Sequence, residues 1–128
     1  MPSVIVKRSA HDYDETTRLL LDAIERRKLT VFARIDHAAG AREAGLDLAD
    51  EEVVLFGSPR SGTPLMQSDP KVGIELPLRM LIWRDGDGVL LAYHDPRDLS
   101  AGYEVGEHAS TLEQMAKLLG ELAAEAAT

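Results

Sequence analysis

The chain has 128 residues, with 14 Lys and Arg against 22 Asp and Glu, and a formal net charge of −8. Its 45% hydrophobic and 28% charged residues exclude the compositions of disordered and collagen-like chains. The absence of cysteine excludes disulfides, thiolate nucleophiles and Cys-based metal sites. A chain of this length is typical of one domain, so we expect a single domain over residues 1–128.

Neither a membrane nor nucleic acid is an expected partner. Residues 1–8 lack the apolar core of a signal peptide, and the longest apolar run, residues 89–93, is far shorter than a membrane span. The one basic cluster, residues 26–28, lies at the end of a predicted helix, where cations complement the helix dipole. We therefore expect a cytoplasmic protein without a nucleic-acid-binding face.

The first half of the chain predicts strands and one long helix. Residues 4–7 form a short β-branched run typical of a strand. Asp12 then stands three residues before Glu15, which is the spacing of a capping box, and helical periodicity continues to residue 28. Alternation over residues 29–36 predicts a half-buried strand.

The middle of the chain is less regular. Residues 37–48 are small and glycine-containing, so we expect a loop with one or two irregular helical turns, followed by a strand over residues 52–56. Thr63 directly precedes Pro64, and proline is favoured at the first helical position, so a short helix is expected over residues 64–68.

The last third predicts a hairpin and a C-terminal helix. Two apolar runs, residues 78–84 and 89–94, flank an Asp-Gly-Asp-Gly turn. Residues 95–108 are expected to be a long connection. Ser110 and Glu113 repeat the capping-box spacing at the start of an amphipathic helix that runs to residue 126.

The predicted order of elements is β-α-β-β-(short α)-β-β-α. Hairpins and alternating strands favour an antiparallel sheet, and each long helix has a single apolar stripe. We therefore expect an α+β fold whose two main helices pack on one face of a mostly antiparallel sheet.

The segment between the third strand and the short helix is the candidate ligand site. A strand that runs through a glycine-bounded loop into a helix presents backbone N–H groups to an anion. We expect a small anionic or polar ligand there, with Arg60 as a supplementary cation and glycine required at position 62 if its φ is positive. The expected ligand-binding residues are Gly57, Ser58, Arg60, Ser61, Gly62 and Thr63.

Two alternatives to an anion site follow from the same residues. The segment resembles a nucleotide phosphate loop, but Gly62 is followed by Thr63 rather than by lysine, so nucleotide hydrolysis is not expected. The other alternative is a turn that only starts a helix.

No catalytic or metal-binding pattern is present. The four histidines are His11, His37, His94 and His108. They have no partner at metal-ligand spacing, so we interpret them as surface or turn histidines and expect no metal and no cofactor. We favour a non-enzymatic binding or interaction module. The alternative is an enzyme with an unrecognised site at residues 57–63, which requires Asp36, His37 or Tyr93 to approach that loop.

Several segments together resemble a known family. They are Asp12-Tyr13-Asp14-Glu15-Thr16, Asp36-His37, Phe56-Gly57-Ser58-Pro59, Gly62-Thr63-Pro64-Leu65-Met66, Leu76-Pro77-Leu78 and the Asp87-Gly88 hairpin that ends at Tyr93-His94-Asp95-Pro96. In this order and spacing they resemble the domain-of-unknown-function 302 family over about residues 9–99. The resemblance implies a β-α-β(4)-α domain, often dimeric, with no established reaction. Many members carry a cysteine where this chain has Ser58 or Leu78, so a thiol-dependent role does not carry over.

We also expect a homodimer. The resemblance implies one, and the predicted strands carry more large apolar side chains than two helices can cover. These side chains are Met80, Ile82, Trp83, Leu90 and Leu91.

Overall fold

A computed structural model describes residues 3–128. Its strands are β1 Val4–Arg8, β2 Thr30–Asp36, β3 Glu51–Gly57, β4 Leu78–Asp85 and β5 Gly88–His94. They form one sheet in the order β1-β5-β4-β3-β2, and all four neighbouring pairs are antiparallel. The α+β fold expected from the sequence is confirmed.

Two long helices and three shorter ones accompany the sheet. They are α1 Tyr13–Arg26, α2 His37–Glu43, α3 Pro59–Ser68, α4 Leu99–Gly102 and α5 Ala109–Ala127. Short 3-10 helices cover Pro70–Glu75, Pro96–Asp98 and Gly106–His108. The last two and α4 are three short helical segments within the expected long connection over residues 95–108. Within residues 3–128, no helix has the length and apolar character needed to cross a membrane.

The main core lies between the sheet and the helices α1 and α5. Both helices contribute to a single buried cluster, so they pack on the same face of the sheet, as expected. Each large side chain that is fully buried here stabilises the fold by about 1.5–3 kcal/mol. The largest members are Leu20, Ile24, Val54, Phe56, Met80, Ile82, Leu91, Leu119 and Leu122.

The basic cluster at the end of α1 pairs with α5. The Arg27 guanidinium donates two hydrogen bonds to the carboxylate of Glu125, at 2.6 and 3.1 Å, and Arg26 lies 3.5 Å from the same carboxylate. These neighbours lower the pKa of Glu125, the hydrogen bond from Arg27 most of all. Two of the three basic residues of the cluster therefore pair with the helix that α1 packs against.

A smaller second cluster holds the connection after β5 against the rest of the fold. Its buried members come from α3, the 3-10 helix Pro70–Glu75, the connection itself and the first half of α5. They are Leu65, Val72, Val105, Leu112 and Met115. This cluster places α3 beside α5 at one end of the sheet.

One of the two expected capping boxes is present. The Asp12 cap is confirmed, because its carboxylate accepts a hydrogen bond from the Glu15 N–H at 2.8 Å. The prediction that Ser110 caps the C-terminal helix is wrong. A 3-10 helix leads directly into α5, which begins at Ala109, so Ser110 already lies inside the first turn. The N-cap residue of α5 is His108, and its side chain makes no capping hydrogen bond.

The strand β2 is not half-buried, contrary to expectation. It is an edge strand on which only Ala33 is partly covered. The register against β3 shifts between Val31 and Ala33, and this irregularity interrupts the alternation of its side chains. Phe32, at 53% exposure, is consequently accessible at the sheet edge.

The β4–β5 hairpin is confirmed. Gly86 has a φ of 61° and occupies the first central position of a two-residue turn, where a II′ turn requires glycine.

The contrast between the two expected caps gives a stability prediction. Replacing Asp12 by Ala removes an acceptor for an N–H group of α1 and should lower the free energy of unfolding by about 1 kcal/mol. Ser110→Ala removes no cap and should change it by less than about 0.5 kcal/mol. Urea unfolding of both variants measures the two changes, and equal losses would contradict the assignment.

Candidate functional site

The segment expected to be a loop before the short helix is mostly helix itself. Helix α3 begins at Pro59, and the Ser58 hydroxyl accepts a hydrogen bond from the Arg60 N–H at 3.3 Å as its N-cap. The expected start at Thr63-Pro64 is therefore wrong. Ser58-Pro59 carries the same signal, a hydroxyl residue before a proline, and starts the helix five residues earlier, leaving Pro64 inside it.

The backbone N–H groups of this segment do not form an anion cradle. The N–H groups of Ser61 and Gly62 donate to the Ser58 carbonyl at 3.1 and 3.2 Å, and that of Arg60 is taken by the Ser58 hydroxyl. Gly62 is helical and does not have a positive φ. The expectation of N–H groups directed at an anion is thus wrong.

Five of the six expected residues instead line a pocket of about 470 Å³ beside α3. The pocket lies between α3, the 3-10 helix Pro70–Glu75, the adjoining ends of β2, β3 and β4, and the middle of α5. Arg60 is exposed and does not line it. The lining residues are Leu29, Phe32, Leu55, Gly57, Ser58, Pro59, Ser61, Gly62, Thr63, Met66, Gly73, Leu76, Pro77, Leu78, Met115 and Leu118.

Among residues 3–128, no titratable side chain lines this pocket. The polar side chains of its described lining are the hydroxyls of Ser58, Ser61 and Thr63, which all lie on or next to the first turns of α3. The rest of the wall is aliphatic, aromatic, methionine, proline or glycine. The site therefore offers a hydrophobic environment with hydrogen-bonding groups on one wall and no group for acid–base chemistry.

The side chains that an enzyme at this loop would need lie elsewhere. Asp36 pairs with Glu52 at one end of the β2–β3 ladder, whereas Gly57 pairs with Thr30 at the other end. His37 follows Asp36, and Tyr93 is likewise outside the pocket lining. The structure thus does not bring the expected catalytic candidates to the pocket.

Two glycines let α3 and the following 3-10 helix approach each other at the pocket wall. A Cβ atom at Gly62 would lie 3.4 Å from Leu76 Cδ1, and one at Gly73 would lie 3.3 Å from Met66 Sδ. The Met66 side chain therefore lies between the two segments. Its thioether is flexible and can adapt to an occupant.

Asp69 anchors the α3 side of the pocket. It is buried, and its two carboxylate oxygens accept hydrogen bonds from the N–H groups of Lys71 at 3.1 Å and Glu104 at 3.0 Å. These bonds, that from Glu104 first, lower the pKa of Asp69. Nearby, the Tyr103 hydroxyl donates to Glu75 at 2.8 Å. The pocket wall is thus tied to the connection before α5.

A polar cluster lies at the opposite end of β2 from the pocket. Buried Glu52 pairs with Arg34 through Oε1–Nε at 2.5 Å and Oε2–Nη2 at 3.2 Å. Burial, and then the negative charge of Glu52, raise the pKa of Tyr13. Asp36 caps α2 by accepting from the Ala39 N–H at 2.9 Å. These contacts give the cluster a structural role.

Two of the four histidines share a groove. His37 and His94 both line a groove of about 470 Å³ on the sheet face opposite α1 and α5. Among residues 3–128, no group of three or more His, Asp or Glu side chains is placed to hold a metal ion.

The sequence patterns missed the apolar lining of the pocket. The sequence pattern places Phe32 in a half-buried strand and Met115 and Leu118 in an amphipathic helix, and all three residues line the pocket. The segment Leu76-Pro77-Leu78 contributes to the family resemblance, and Leu78 begins a predicted strand, but neither feature indicates a pocket. None of these residues carries a local signal of ligand binding, because the pocket forms only when distant segments meet.

The chain belongs to the family described as domain of unknown function DUF302, whose sequence profile matches residues 5–122. The resemblance noted in the sequence is therefore confirmed. A crystal structure of an uncharacterized conserved DUF302 protein from Bacillus stearothermophilus superposes with a TM-score of 0.82, covering 96% of this chain and 97% of that chain at 15% identity. This likeness supports the fold.

The chain is also similar to part of larger proteins. The "Fluoride-specific ion channel FluC 1" proteins of Brucella suis and Brucella abortus are each 39% identical to it over 104 residues. The match covers 80% of this chain but 41% and 38% of those proteins. The chain thus spans about two fifths of the length of these curated relatives.

The contacts of Asp69 predict a pH-dependent effect on stability. Because its pKa is lower in the folded state, its contribution is fully present above the unfolded pKa of about 3.9 and is lost as pH falls through the folded pKa. Asp69→Asn should therefore be less stable than the native chain at pH 7, and the difference should shrink below about pH 4. Urea unfolding across pH 7 to pH 3 measures it; a difference that does not change with pH would contradict this role.

Proposed function

We propose that the chain is a single-domain, non-enzymatic binding module that holds a small, mainly apolar ligand in the pocket beside α3. The observation that carries the proposal is the pocket itself: about 470 Å³, apolar, with three hydroxyls on one wall. Small-molecule sites are typically about 300–1,000 Å³, mostly apolar, with a few placed polar groups. The lack of a titratable lining residue favours binding over catalysis at this pocket.

The proposed ligand-contacting residues include five of those expected from the sequence. They are Gly57, Ser58, Ser61, Gly62 and Thr63. Arg60 is also expected from the sequence to contact the ligand, but it lies outside the pocket. We therefore propose that Arg60 does not contact the buried part of the ligand.

Binding is tested with the uncharged fluorophore N-phenyl-1-naphthylamine, whose emission rises in an apolar environment. We expect saturable binding to the native chain. Gly73→Leu should weaken it at least about tenfold, because the new side chain starts 3.3 Å from Met66 Sδ and fills space between the pocket walls. Fluorescence titration measures both affinities.

Gly106→Leu is the matched control. Gly106 also lies in a 3-10 helix, has no atom within 4 Å of an added Cβ, and does not line the pocket. Its affinity for the fluorophore should equal that of the native chain. Melting curves check that both variants fold. Absence of fluorophore binding to the native chain, or equal weakening by both variants, would overturn the proposal.

We further propose that two copies of the chain associate through the uncovered face of the sheet. Three of the five side chains that motivated the sequence expectation, Met80, Ile82 and Leu91, are buried beneath α1 and α5, so that part of the reasoning was wrong. The opposite face carries the remaining two of the five and further apolar residues at alternating strand positions. They include Val4, Val6, Ile35, Val53, Leu81, Trp83 and Leu90, of which Val6 is 52% and Ile35 is 45% exposed.

The charges on this uncovered face are arranged for self-association. Arg79 lies near one end of the face, while Trp83 and its register partner Glu51 lie near the other. A two-fold axis that crosses the strands between two such faces brings Arg79 of one copy towards Trp83 and Glu51 of the other. Such contacts combine charge pairing with a cation–π arrangement.

The proposed dimer is tested by substitution of a face residue. The native chain should form a particle of about 28 kDa, twice the mass of the 14.0 kDa chain. Ile35→Lys places a charge on the uncovered face and should convert this dimer to the monomer. The matched control is Ile74→Lys, because Ile74 is 75% exposed in a 3-10 helix away from that face. Light scattering at micromolar concentration measures the mass. A native monomer would contradict the dimer.

The channel activity in the names of the Brucella relatives describes whole proteins, of which this chain aligns with 38–41%. We include no channel activity in the proposal.

We place the module in the cytoplasm, as expected from the pattern of the sequence.

A further inference from the structure

We infer that the pocket selects an uncharged ligand with a hydrocarbon body and one terminal hydroxyl or carbonyl group. This inference rests on the proposed binding function and specifies the chemical class of the ligand. It replaces the anionic ligand expected from the sequence.

The walls determine the body of the ligand. Phe32, 53% exposed, and Met66 lie where the pocket meets solvent, and Met115 and Leu118 line it from α5. A hydrocarbon that enters past Phe32 and Met66 is surrounded by apolar side chains. Each CH₂ group removed from water there raises the affinity about fourfold.

The absence of charge in the lining excludes an ionic group on the buried part of the ligand. Among the described lining residues there is no guanidinium or ammonium to pair with a carboxylate, and no carboxylate to pair with an amine. A buried charge without a partner carries a large desolvation cost. The first backbone N–H groups of α3 are already bonded to Ser58, and the chain's net charge of −8 further disfavours anions.

The hydroxyl wall determines the polar end. Ser61 and Thr63 line the pocket from exposed positions at its rim, and their hydroxyls make no hydrogen bond within the described part of the protein. A hydroxyl group both donates and accepts, so these two side chains suit either an alcohol or a carbonyl oxygen. A ligand that places such a group against α3 gains hydrogen bonds without bringing a charge into the pocket.

The test uses three competitors with eight carbon atoms each and different head groups: 1-octanol, octanoate and octylammonium. Each competitor is titrated against N-phenyl-1-naphthylamine bound to the native chain at pH 7.5. Inorganic phosphate at millimolar concentration is tested as a fourth competitor. We expect 1-octanol to displace the fluorophore at a concentration at least about tenfold lower than either ion, and phosphate to displace none.

Two variants test the hydroxyl wall. Ser61→Ala and Thr63→Val should each weaken displacement by 1-octanol about threefold to tenfold, the range of one hydrogen bond, while affinity for the fluorophore changes less than about twofold. Ser110→Ala, an exposed helix position outside the pocket, is the control and should change neither.

The outcomes separate this inference from the binding function. Equal or stronger displacement by octanoate, octylammonium or phosphate, while the fluorophore still binds, would overturn the inference and leave the binding function supported. A native chain that does not bind the fluorophore would overturn both.

Discussion

Two long helices cover only one face of the five-stranded sheet, and the rest of the structure follows from this constraint. Helices α1 and α5 seal that face with one continuous buried cluster, and ion pairs between Arg27 and Glu125 hold their ends together. The sheet end beyond this helix pair is closed by α3 and the 3-10 helix Pro70–Glu75, which leave the pocket between them and α5. The other face of the sheet carries exposed apolar side chains, among them Val4, Val6 and Ile35.

The chemistry of the pocket follows from how its wall is built. Helix α3 starts at Ser58-Pro59, so its first N–H groups are satisfied internally and point to no ligand. Asp69, between α3 and the 3-10 helix, is not among the lining residues, and its carboxylate accepts hydrogen bonds from the backbone N–H groups of Lys71 and Glu104. What remains for a ligand is apolar surface and hydroxyls, a combination that suits recognition rather than proton transfer.

Local signals in the sequence predicted the elements whose cause is local. The Asp12 cap, the Gly86 turn and the apolar stripes of both long helices are examples. Ser58-Pro59 and Thr63-Pro64 are equivalent local signals, so the start of α3 depended on tertiary packing. The exposure of β2 depended on its place at the sheet edge, and the pocket joins Phe32, Leu76 and Met115 from distant segments, so neither has a local pattern.

The most direct test of the account observes the methionine methyl groups by NMR during titration with N-phenyl-1-naphthylamine. Met66 and Met115 line the pocket, whereas Met80 is buried in the main core beneath the helices. The account predicts saturable shifts of the Met66 and Met115 methyl resonances with the same affinity, and an unchanged Met80 resonance. Unchanged Met66 and Met115 resonances at saturating fluorophore would contradict the claim that this pocket is the binding site.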